Sequence, residues 1–295
     1  MEWFNTNLPY LLAGISVGGQ YALIAIGYTM VYGILRLINF AHGDIFMVAG
    51  LIMVYASASM PMYVSIPLVL VATVLLGFLV ERVAYKPLRS APRMSVMISA
   101  IGVSYLLQNL ALLIFGADAK SFVTVIDVPN VTLFDGQLTI KGITIVTIVT
   151  CLIIMIGLTL FVNKTKPGRA MKAVSEDKDA AQLMGVNVNA TISLTFAIGS
   201  GLAAIAGLLL CSAYPTLTPY TGAMPGIKAF VAAVFGGIGS IPGAMVGGIL
   251  LGIIEIFGKA YISSQVADAI VFAVLIIVLL VKPTGLFGKN IQEKV

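Results

Sequence analysis

The stretch at residues 143–163 reads ITIVTIVTCLIIMIGLTLFVN and contains no charged side chain. A helix needs about 20 apolar residues to cross roughly 30 Å of hydrocarbon, and this run is long enough to do so. Comparable apolar runs lie near 8–33, 37–58, 63–82, 95–116, 189–213 and 267–282. Their continuity excludes the weak ten-residue alternation of a transmembrane barrel. The sequence therefore predicts an all-α polytopic membrane protein.

The composition of the whole chain agrees with a membrane location. Of its 295 residues, 59% are apolar and 10% are charged, whereas soluble domains average about 45–50% and 25%. This apolar excess is too large for one buried core, so it excludes a soluble enzyme, a disordered chain and a nucleic-acid-binding protein. Cys151 and Cys211 lie in separate apolar runs. We expect them to be small buried residues rather than a disulfide or metal ligands.

Clustered cations set the predicted orientation. Residues 82–94, residues 164–178 and the tail from 282 together hold 12 of the 17 lysines and arginines. The positive-inside tendency places all three segments in the cytoplasm. Counting spans from them puts the N-terminus outside and the C-terminus in the cytoplasm. The apolar, glycine-rich stretch 226–258 must then enter and leave on the outer side, as a re-entrant segment with a return or as a tight pair of helices. The total is about eight transmembrane helices.

The predicted outer segment 117–141 carries a β-hairpin pattern. VTLF at 131–134 and QLTI at 137–140 alternate apolar and polar residues around Asp135-Gly136. This dipeptide is typical of a two-residue hairpin turn. A lid over helix ends and a docking surface for a soluble partner both fit such a hairpin.

The first break in the apolar pattern is RLINFAHGD at 36–44. Ionisable side chains at membrane depth are costly, and they persist where they line a cavity or pair with one another. One interpretation keeps Arg36 at the headgroups with Asp44 as its partner. The other makes an unwound or helix-start segment that faces a translocation path. The candidate path residues are Asn39, His42, Gly43 and Asp44.

The second break is FGGIGSIPG at 235–243. Each glycine costs a helix about 1 kcal/mol and proline about 3 kcal/mol, so this stretch cannot remain helical. Non-helical backbone at membrane depth needs protein or a water-filled cavity around it, which predicts a discontinuous helix. The second set of candidate path residues is Gly236, Gly237, Gly239 and Ser240.

Small and charged residues outside the two breaks predict contacts between and along helices. Glycines recur every four residues, which predicts close helix packing. These glycines are Gly14, Gly18, Gly239, Gly243, Gly247, Gly248 and Gly252. Glu255 and Lys259 lie four residues apart and are expected to form a local ion pair.

Residues 164–188, KTKPGRAMKAVSEDKDAAQLMGVNV, form a long charged connection. Asp177 can cap a short helix at 178–184, and Gly185 can end it in a left-handed conformation. Residues 169–175 can add one or two helical turns before it. Helices this short are unstable alone. The segment therefore either lies in a groove of a partner or is a solvated loop with helical tendency.

Part of this connection, GRAMKAVSEDKDAAQLMG at 168–185, resembles the cytoplasmic coupling region of ABC-importer permeases for branched-chain amino acids. INFAHGDIFMVAG at 38–50 and FGGIGSIPGAMVGGILLGIIE at 235–255 extend the resemblance to both halves of the chain. Residues 1–295 are therefore expected to be a single transmembrane permease domain. Lys178 departs from the expected pattern, because many relatives should have proline there.

The resemblance implies a specific assembly. A second homologous permease chain would complete the pore, two cytoplasmic ATPase subunits would bind the coupling segments, and a periplasmic binding protein would deliver leucine, isoleucine or valine. It implies a bacterial inner membrane, with lipid around the subunit. The implied coupling residues are Arg169, Ala173, Ser175, Glu176, Asp177, Ala180 and Gly185.

The sequence contains no phosphate-binding loop of the form G-x-x-x-x-G-K-S/T, so ATP hydrolysis must occur on another chain. We expect no cofactor, no enzymatic activity, no metal site and no nucleic-acid partner in this subunit. A cavity of Asn39, Gly43, Ser240 and apolar walls suits a hydrophobic cargo. Two alternatives remain: an ABC permease for urea or short amides, and a secondary transporter that works without an ATPase and uses His42, Asp44 and Glu255 as a proton or ion path.

Overall fold

The computed structural model describes residues 2–89, 91–121, 128–133 and 138–288, and they are mostly helical. The helices are α1 (Glu2–Leu35), α2 (His42–Ser59), α3 (Met62–Val80), α4 (Arg93–Phe115), α5 (Gly142–Lys164), α6 (Lys166–Glu176), α7 (Lys178–Leu183), α8 (Val188–Ala213), α9 (Ala223–Gly236), α10 (Ile241–Tyr261) and α11 (Ala267–Val281). A π-helical turn, Glu81–Tyr85, and a 3-10 turn, Lys86–Leu88, continue α3. The short strands are β1 (Lys120–Ser121), β2 (Val131–Leu133), β3 (Leu138–Ile140) and β4 (Thr216–Leu217).

The number of membrane-spanning helices differs in detail from the sequence-based count. Within the described ranges, seven helices are long and apolar enough to cross a membrane: α1, α2, α3, α4, α5, α8 and α10. Two further apolar helices, α9 and α11, have only 14 and 15 residues. The stretch 226–258 is therefore a tight pair in which α10 alone has spanning length. The predicted span at 267–282 is a helix about 22 Å long at 1.5 Å per residue.

Helix α1 lies at the centre of the bundle and packs against α10 over most of its length. The two helices run antiparallel with glycines at the crossing. A methyl group added to Gly18 would lie 2.6 Å from Cα of Ile249, and one added to Gly248 would lie 2.6 Å from Cα of Ala22. Side chains larger than hydrogen would therefore separate the two backbones, as the four-residue glycine spacing predicts.

Helix α2 begins inside the bundle rather than at its surface. It runs parallel to α8, with His42 beside Gly199 and the carbonyl of Phe46 beside Gly207. Gly199 is the twelfth residue of α8, so α2 begins about 16 Å beyond the start of α8. The irregular residues 36–41 fill this interval and connect the end of α1 to the start of α2.

The strands lie at one end of the bundle, which we call the strand end. β2 and β3 pair antiparallel with Leu133 opposite Leu138, which agrees with the predicted hairpin. The predicted turn at 135–136 lies outside the described residues. β1 and β4 form a second pair, which the sequence did not predict and which joins the segment after α4 to the segment before α9. The opposite end carries α6, α7 and the turn at Lys86–Leu88, and we call it the basic end.

Candidate functional site

Two capped helices, α6 and α7, form the connection at the basic end. Thr165 caps α6 by accepting a hydrogen bond from the backbone N–H of Gly168, at 3.1 Å. Asp177 caps α7, because its Oδ1 accepts from the backbone N–H groups of Asp179 and Ala180, both at 2.9 Å. The predicted cap at Asp177 is thus present, and α7 ends one residue before the predicted boundary of 184.

Gly185 ends this segment as predicted. Its φ is +84°, which is the left-handed region. The backbone N–H of Gly185 donates to the carbonyl of Gln182, and that of Val186 donates to the carbonyl of Ala181. This pair of bonds is the Schellman motif, which satisfies carbonyl groups at a helix end. Both ends of α7 are therefore fixed by specific hydrogen bonds although the helix has only six residues.

Helix α6 of this connection packs against the bundle, whereas α7 is largely exposed. Met171 and Val174 of α6 are buried, whereas α7 buries only Ala181. At the tip of α7, Leu183 is 88% exposed and Met184 is 85% exposed. The predicted coupling residues share this exposure, with Ser175 half-buried and Arg169, Ala173, Glu176, Asp177, Ala180 and Gly185 exposed. Leu183 and Met184 were not predicted, because six residues are too few to reveal which face of a helix is buried.

A group of cations lies beside α7. Partial desolvation and the nearby guanidinium groups of Arg89 and Arg36 lower the pKa of Lys178, while Asp179 opposes this shift. Arg89 also forms an ion pair with Glu81, a carboxylate with no exposed surface. Glu81 accepts a second hydrogen bond from the hydroxyl of Ser193 on α8, at 2.8 Å. The π-helical turn, α8 and Arg89 are thus linked by one network.

The first predicted break is buried and hydrogen-bonded at the start of α2. Oδ1 of Asn39 accepts from the hydroxyl of Tyr85, at 2.8 Å. Asp44 accepts from Nε2 of Gln108 on α4, at 2.9 Å. Asp44 thus finds its partner on α4, and Arg36 forms none of the salt bridges found among the described residues. The predicted Arg36–Asp44 pair is therefore replaced by a contact between helices.

His42 packs in the interior between three helices. Its ring lies edge-on to Tyr28 with 4.9 Å between ring centroids, and it occupies the space left by the missing side chains of Gly27 and Gly199. Nε2 of His42 and Nδ2 of Asn39 are buried without hydrogen-bond partners. A buried polar group without a partner costs about 1–3 kcal/mol. A water molecule or another conformation that gave these two nitrogen atoms hydrogen-bond partners would therefore remove this cost.

The first break meets the start of α9. A methyl group added to Gly43 would lie 2.6 Å from the carbonyl oxygen of Gly222 and 2.8 Å from Cα of Gly226. The N-terminal ends of α2 and α9 therefore touch through their backbones inside the bundle. Gly222 and Gly226 were not among the predicted path residues, because the sequence does not reveal which breaks lie next to each other.

The second predicted break lies at the basic end, where α9 turns into α10. Gly237 and Gly239 have φ values of +105° and +97°. Ser240 caps α10 by accepting from the backbone N–H of Gly243, at 3.1 Å. The chain near the C-terminus covers this turn, because the N–H groups of Leu286 and Phe287 donate to the carbonyls of Phe235 and Gly236, both at 2.9 Å. The first set of predicted path residues therefore contacts the start of α9, whereas the second set is covered by residues 286–287.

A buried ion cluster joins α9, α10 and α11. Nζ of Lys228 lies 2.9 Å from Oε1 of Glu255 and 2.6 Å from Oδ1 of Asp268. Lys259 approaches the same Oε1 at 2.5 Å, which confirms the predicted local pair. Tyr21 of α1 donates to Oε2 of Glu255, at 2.9 Å. The sequence signal for this cluster was Lys228, a lysine within an apolar run. Its partners, Glu255 and Asp268, lie far from it in the sequence.

These features define a class of protein. Membrane transport proteins typically contain helices that begin inside the membrane bundle. Here two such helices, α2 and α9, contact each other through glycines. Among the described residues, no group of three or more His, Cys, Asp and Glu side chains could hold a metal ion. The two cysteines, Cys151 and Cys211, are buried and unpaired. The fold and the site are those of a multi-pass membrane transport protein.

Comparison with known proteins gives the family. Residues 10–279 match the family described as the branched-chain amino acid transport system/permease component, and the chain belongs to this family. It is 44% identical to the high-affinity branched-chain amino acid transport system permease protein BraD of Pseudomonas aeruginosa, covering 98% of both chains. It is also 44% identical to LivH of Escherichia coli, covering 100% of this chain and 99% of that one. The autoinducer 2 import system permease protein LsrD of Escherichia coli is 28% identical over 78% of this chain and 72% of that one.

Proposed function

We propose that this subunit carries leucine, isoleucine and valine across a bacterial inner membrane, as part of an ABC importer in which separate subunits hydrolyse ATP. The names of the BraD and LivH proteins support this cargo, because the similarity to them covers almost the full length of each chain. The missing phosphate-binding loop supports the division of labour between subunits.

The observation that carries the proposal is the exposed tip of α7. Leu183 and Met184 project from a helix whose two ends are fixed by hydrogen bonds. A small, preformed helix with apolar side chains on its surface suits an apolar groove on a partner. The ATPase subunits supply that groove in this proposal. Because Met171 and Val174 anchor α6 in the bundle, a push on α7 would reach the membrane helices.

The basic end faces the cytoplasm in this proposal, as the positive-inside tendency requires. The N-terminus is then outside and the C-terminus cytoplasmic. The strand end faces the periplasm, where β2 and β3 are available to the binding protein that delivers the amino acid. Two ATPase subunits and a second homologous permease complete the transporter.

The cargo path runs past the start of α2. Asn39, His42, Gly43 and Asp44 lie where two helix starts meet, and two of these side chains hold polar atoms that lack partners. Helix starts carry partial positive charge, which suits the carboxylate of an amino acid. Gly236, Gly237, Gly239 and Ser240 form the cytoplasmic turn between α9 and α10, where a hinge would change access.

A double charge reversal tests the coupling role. Glu176→Lys with Asp177→Lys should abolish ATP-dependent leucine uptake by proteoliposomes that contain the whole transporter, while the subunit still inserts in the membrane. Asp177→Ser is the matched control, because serine keeps the helix cap and should retain most of the uptake. Unimpaired uptake by the double variant would contradict the proposal.

Competition and gradient experiments separate the alternatives. Isoleucine should compete with labelled leucine, and urea should not. The purified subunit alone should give no uptake in a proton or sodium gradient. Uptake under those conditions would favour a secondary transporter, although Glu255 is already bonded to two lysines and a tyrosine.

A further inference from the structure

Two buried nitrogen atoms at the start of α2, Nδ2 of Asn39 and Nε2 of His42, have no hydrogen-bond partner among the described residues. Asn39 is 2% exposed and His42 is 1% exposed. The backbone N–H of His42 donates to the carbonyl of Asn39 at 3.0 Å, so both side chains extend from one turn. This turn begins α2, an 18-residue helix whose start carries partial positive charge.

The free atom of Asn39 requires an acceptor. A carboxamide nitrogen only donates hydrogen bonds, so its missing partner must be an atom with free lone pairs. Oδ1 of Asn39 already accepts from the hydroxyl of Tyr85 at 2.8 Å, and this bond holds the carboxamide with Nδ2 as its free end. Nε2 of His42 can donate a second hydrogen bond when it carries the ring proton. Two donors at the positive end of a helix suit the two oxygens of one carboxylate.

Tyr85 is fixed in the bundle by contacts with α8. It is 1% exposed and ends the π-helical turn, a kind of turn that is frequent at functional sites. Its ring packs against Phe196 of α8, with 5.1 Å between ring centroids. Glu81, the first residue of the same turn, accepts from the hydroxyl of Ser193 of α8 at 2.8 Å. Both ends of the turn thus contact α8, which holds Tyr85 in place next to Asn39.

A small cleft between α1 and α9 begins beside the start of α2. Tyr28 lies edge-on to His42 with 4.9 Å between ring centroids, and Ile38 directly precedes Asn39. At its other end the cleft reaches Ile238, in the turn between α9 and α10. The cleft therefore connects the two predicted sets of path residues. It is lined by Tyr28, Tyr32, Ile38, Phe230, Ala233 and Ile238.

The lining of this cleft is aliphatic and aromatic, which suits a branched aliphatic side chain. In this conformation the cleft has room for about one water molecule, which is less than a leucine side chain needs. Binding of cargo therefore requires α9 to move away from α1. Gly237 and Gly239, which both have positive φ, lie at the end of α9 where such a movement can hinge.

We infer that the start of α2 and this cleft form a binding site for a branched aliphatic amino acid. Asn39 and His42 bind its carboxylate, and the cleft takes its side chain. Tyr85 is a positioning residue, because it acts through the carboxamide of Asn39. This inference rests on the proposed function, which supplies the cargo. It also gives a reason for discrimination, since urea has neither a carboxylate nor an aliphatic side chain.

Photoaffinity labelling locates the site in the complete transporter. A photoreactive leucine with a diazirine in its side chain is loaded on the binding protein and supplied during ATP hydrolysis. Mass spectrometry should find the label on residues that line the cleft. Label found only elsewhere, or no label on this subunit although the analogue is taken up, would overturn the inference. If the unaltered transporter takes up no leucine, the proposed function itself fails and the inference with it.

A hydroxyl deletion tests the positioning role of Tyr85. Tyr85→Phe should lower the maximal rate of leucine uptake about tenfold, the effect of losing one hydrogen bond. The concentration of loaded binding protein that gives half-maximal uptake should not change, because the binding protein docks at the other end of the bundle. Tyr21→Phe is the matched control, since it removes a buried hydroxyl that donates to Glu255 instead, and it should leave the maximal rate unchanged.

The same substitution in a second background separates positioning from a structural role. In the Asn39→Ala variant, Tyr85→Phe should cause no further loss of uptake, because the group that Tyr85 holds is already absent. Equal amounts of each variant in the membrane show that all of them fold. An equal loss of uptake in Tyr21→Phe and Tyr85→Phe, or a full further loss in the Asn39→Ala background, would overturn the role of Tyr85.

Discussion

Lys228 of α9 and Glu255 of α10 form an ion pair in which both side chains are almost fully buried, with 2.9 Å between Nζ and Oε1. Lys259 and Asp268 balance the charge of this pair. Removing one member of a buried pair leaves the other without compensation, and this is far more costly than removing both. The cluster therefore holds the short helix α9 against α10 and α11.

Substitution within this cluster should be strongly non-additive. Glu255→Gln should lower the free energy of unfolding by about 3–5 kcal/mol, because two lysines lose their shared carboxylate. Lys228→Met combined with Glu255→Gln should be less destabilised than Glu255→Gln alone. Thermal or denaturant unfolding of the detergent-solubilised protein measures the double variant and each of its two single variants. Simple addition of the two single effects would show that the pair is not coupled.

Substitutions at the contact between Asp44 and Gln108 distinguish two roles for Asp44, one as a hydrogen-bond acceptor and one through its charge. Asp44→Asn still accepts from Gln108, so it should retain most of the leucine uptake. Gln108→Leu removes one donor to a buried carboxylate and should lower stability by about 1–3 kcal/mol and reduce uptake. If Asp44→Asn abolished uptake while Gln108→Leu did not, Asp44 would act through its charge, as a proton path requires.

The crossing of α1 and α10 should tolerate no side chain at its glycines. Gly248→Val should strongly lower the melting temperature, because even its Cβ would lie 2.6 Å from Cα of Ala22. Gly157→Val on α5 provides the comparison, since space is open there. The two variants can be compared by thermal unfolding in the same detergent. Similar melting temperatures would contradict the packing described at this crossing.

The pKa of Lys178 should lie below that of an ordinary lysine. Partial desolvation and the positive charges of Arg89 and Arg36 disfavour its ammonium form and lower its pKa. The rate at which an amine reagent labels Lys178 should therefore reach half its maximum at a lower pH than for an ordinary lysine. Arg36→Gln removes one of these charges and should move that midpoint to higher pH. A midpoint that does not move would show that Arg36 has no influence on Lys178.

The sequence predicted features that depend on neighbouring residues. The cap at Asp177, the left-handed end at Gly185 and the Glu255–Lys259 pair each lie within a few residues and obey local geometry. The long helices were predictable because their apolar length is itself the signal. In contrast, α9 and α11 were harder to classify, since both are shorter than an ordinary span.

Contacts between distant residues were not predictable. The meeting of Gly43 with Gly222, and of Lys228 with Glu255, depends on which helices adjoin, and a single sequence contains no such signal. The exposed tip at Leu183 was missed for a different reason. A six-residue helix has too little periodicity to separate a buried face from an exposed one.

In the proposed function, the tip of α7 is the surface that the ATPase subunits bind and push. The most direct test is ATP-dependent uptake of labelled leucine by proteoliposomes that contain the complete transporter with Leu183→Ser and Met184→Ser. Val83→Ser is the control, because Val83 lies at the same end of the bundle and is 66% exposed. We expect the double variant to insert normally but to lose its ATPase subunits on purification and to lose uptake, whereas the control should keep its ATPase subunits and its uptake. Undiminished uptake by the double variant would contradict it.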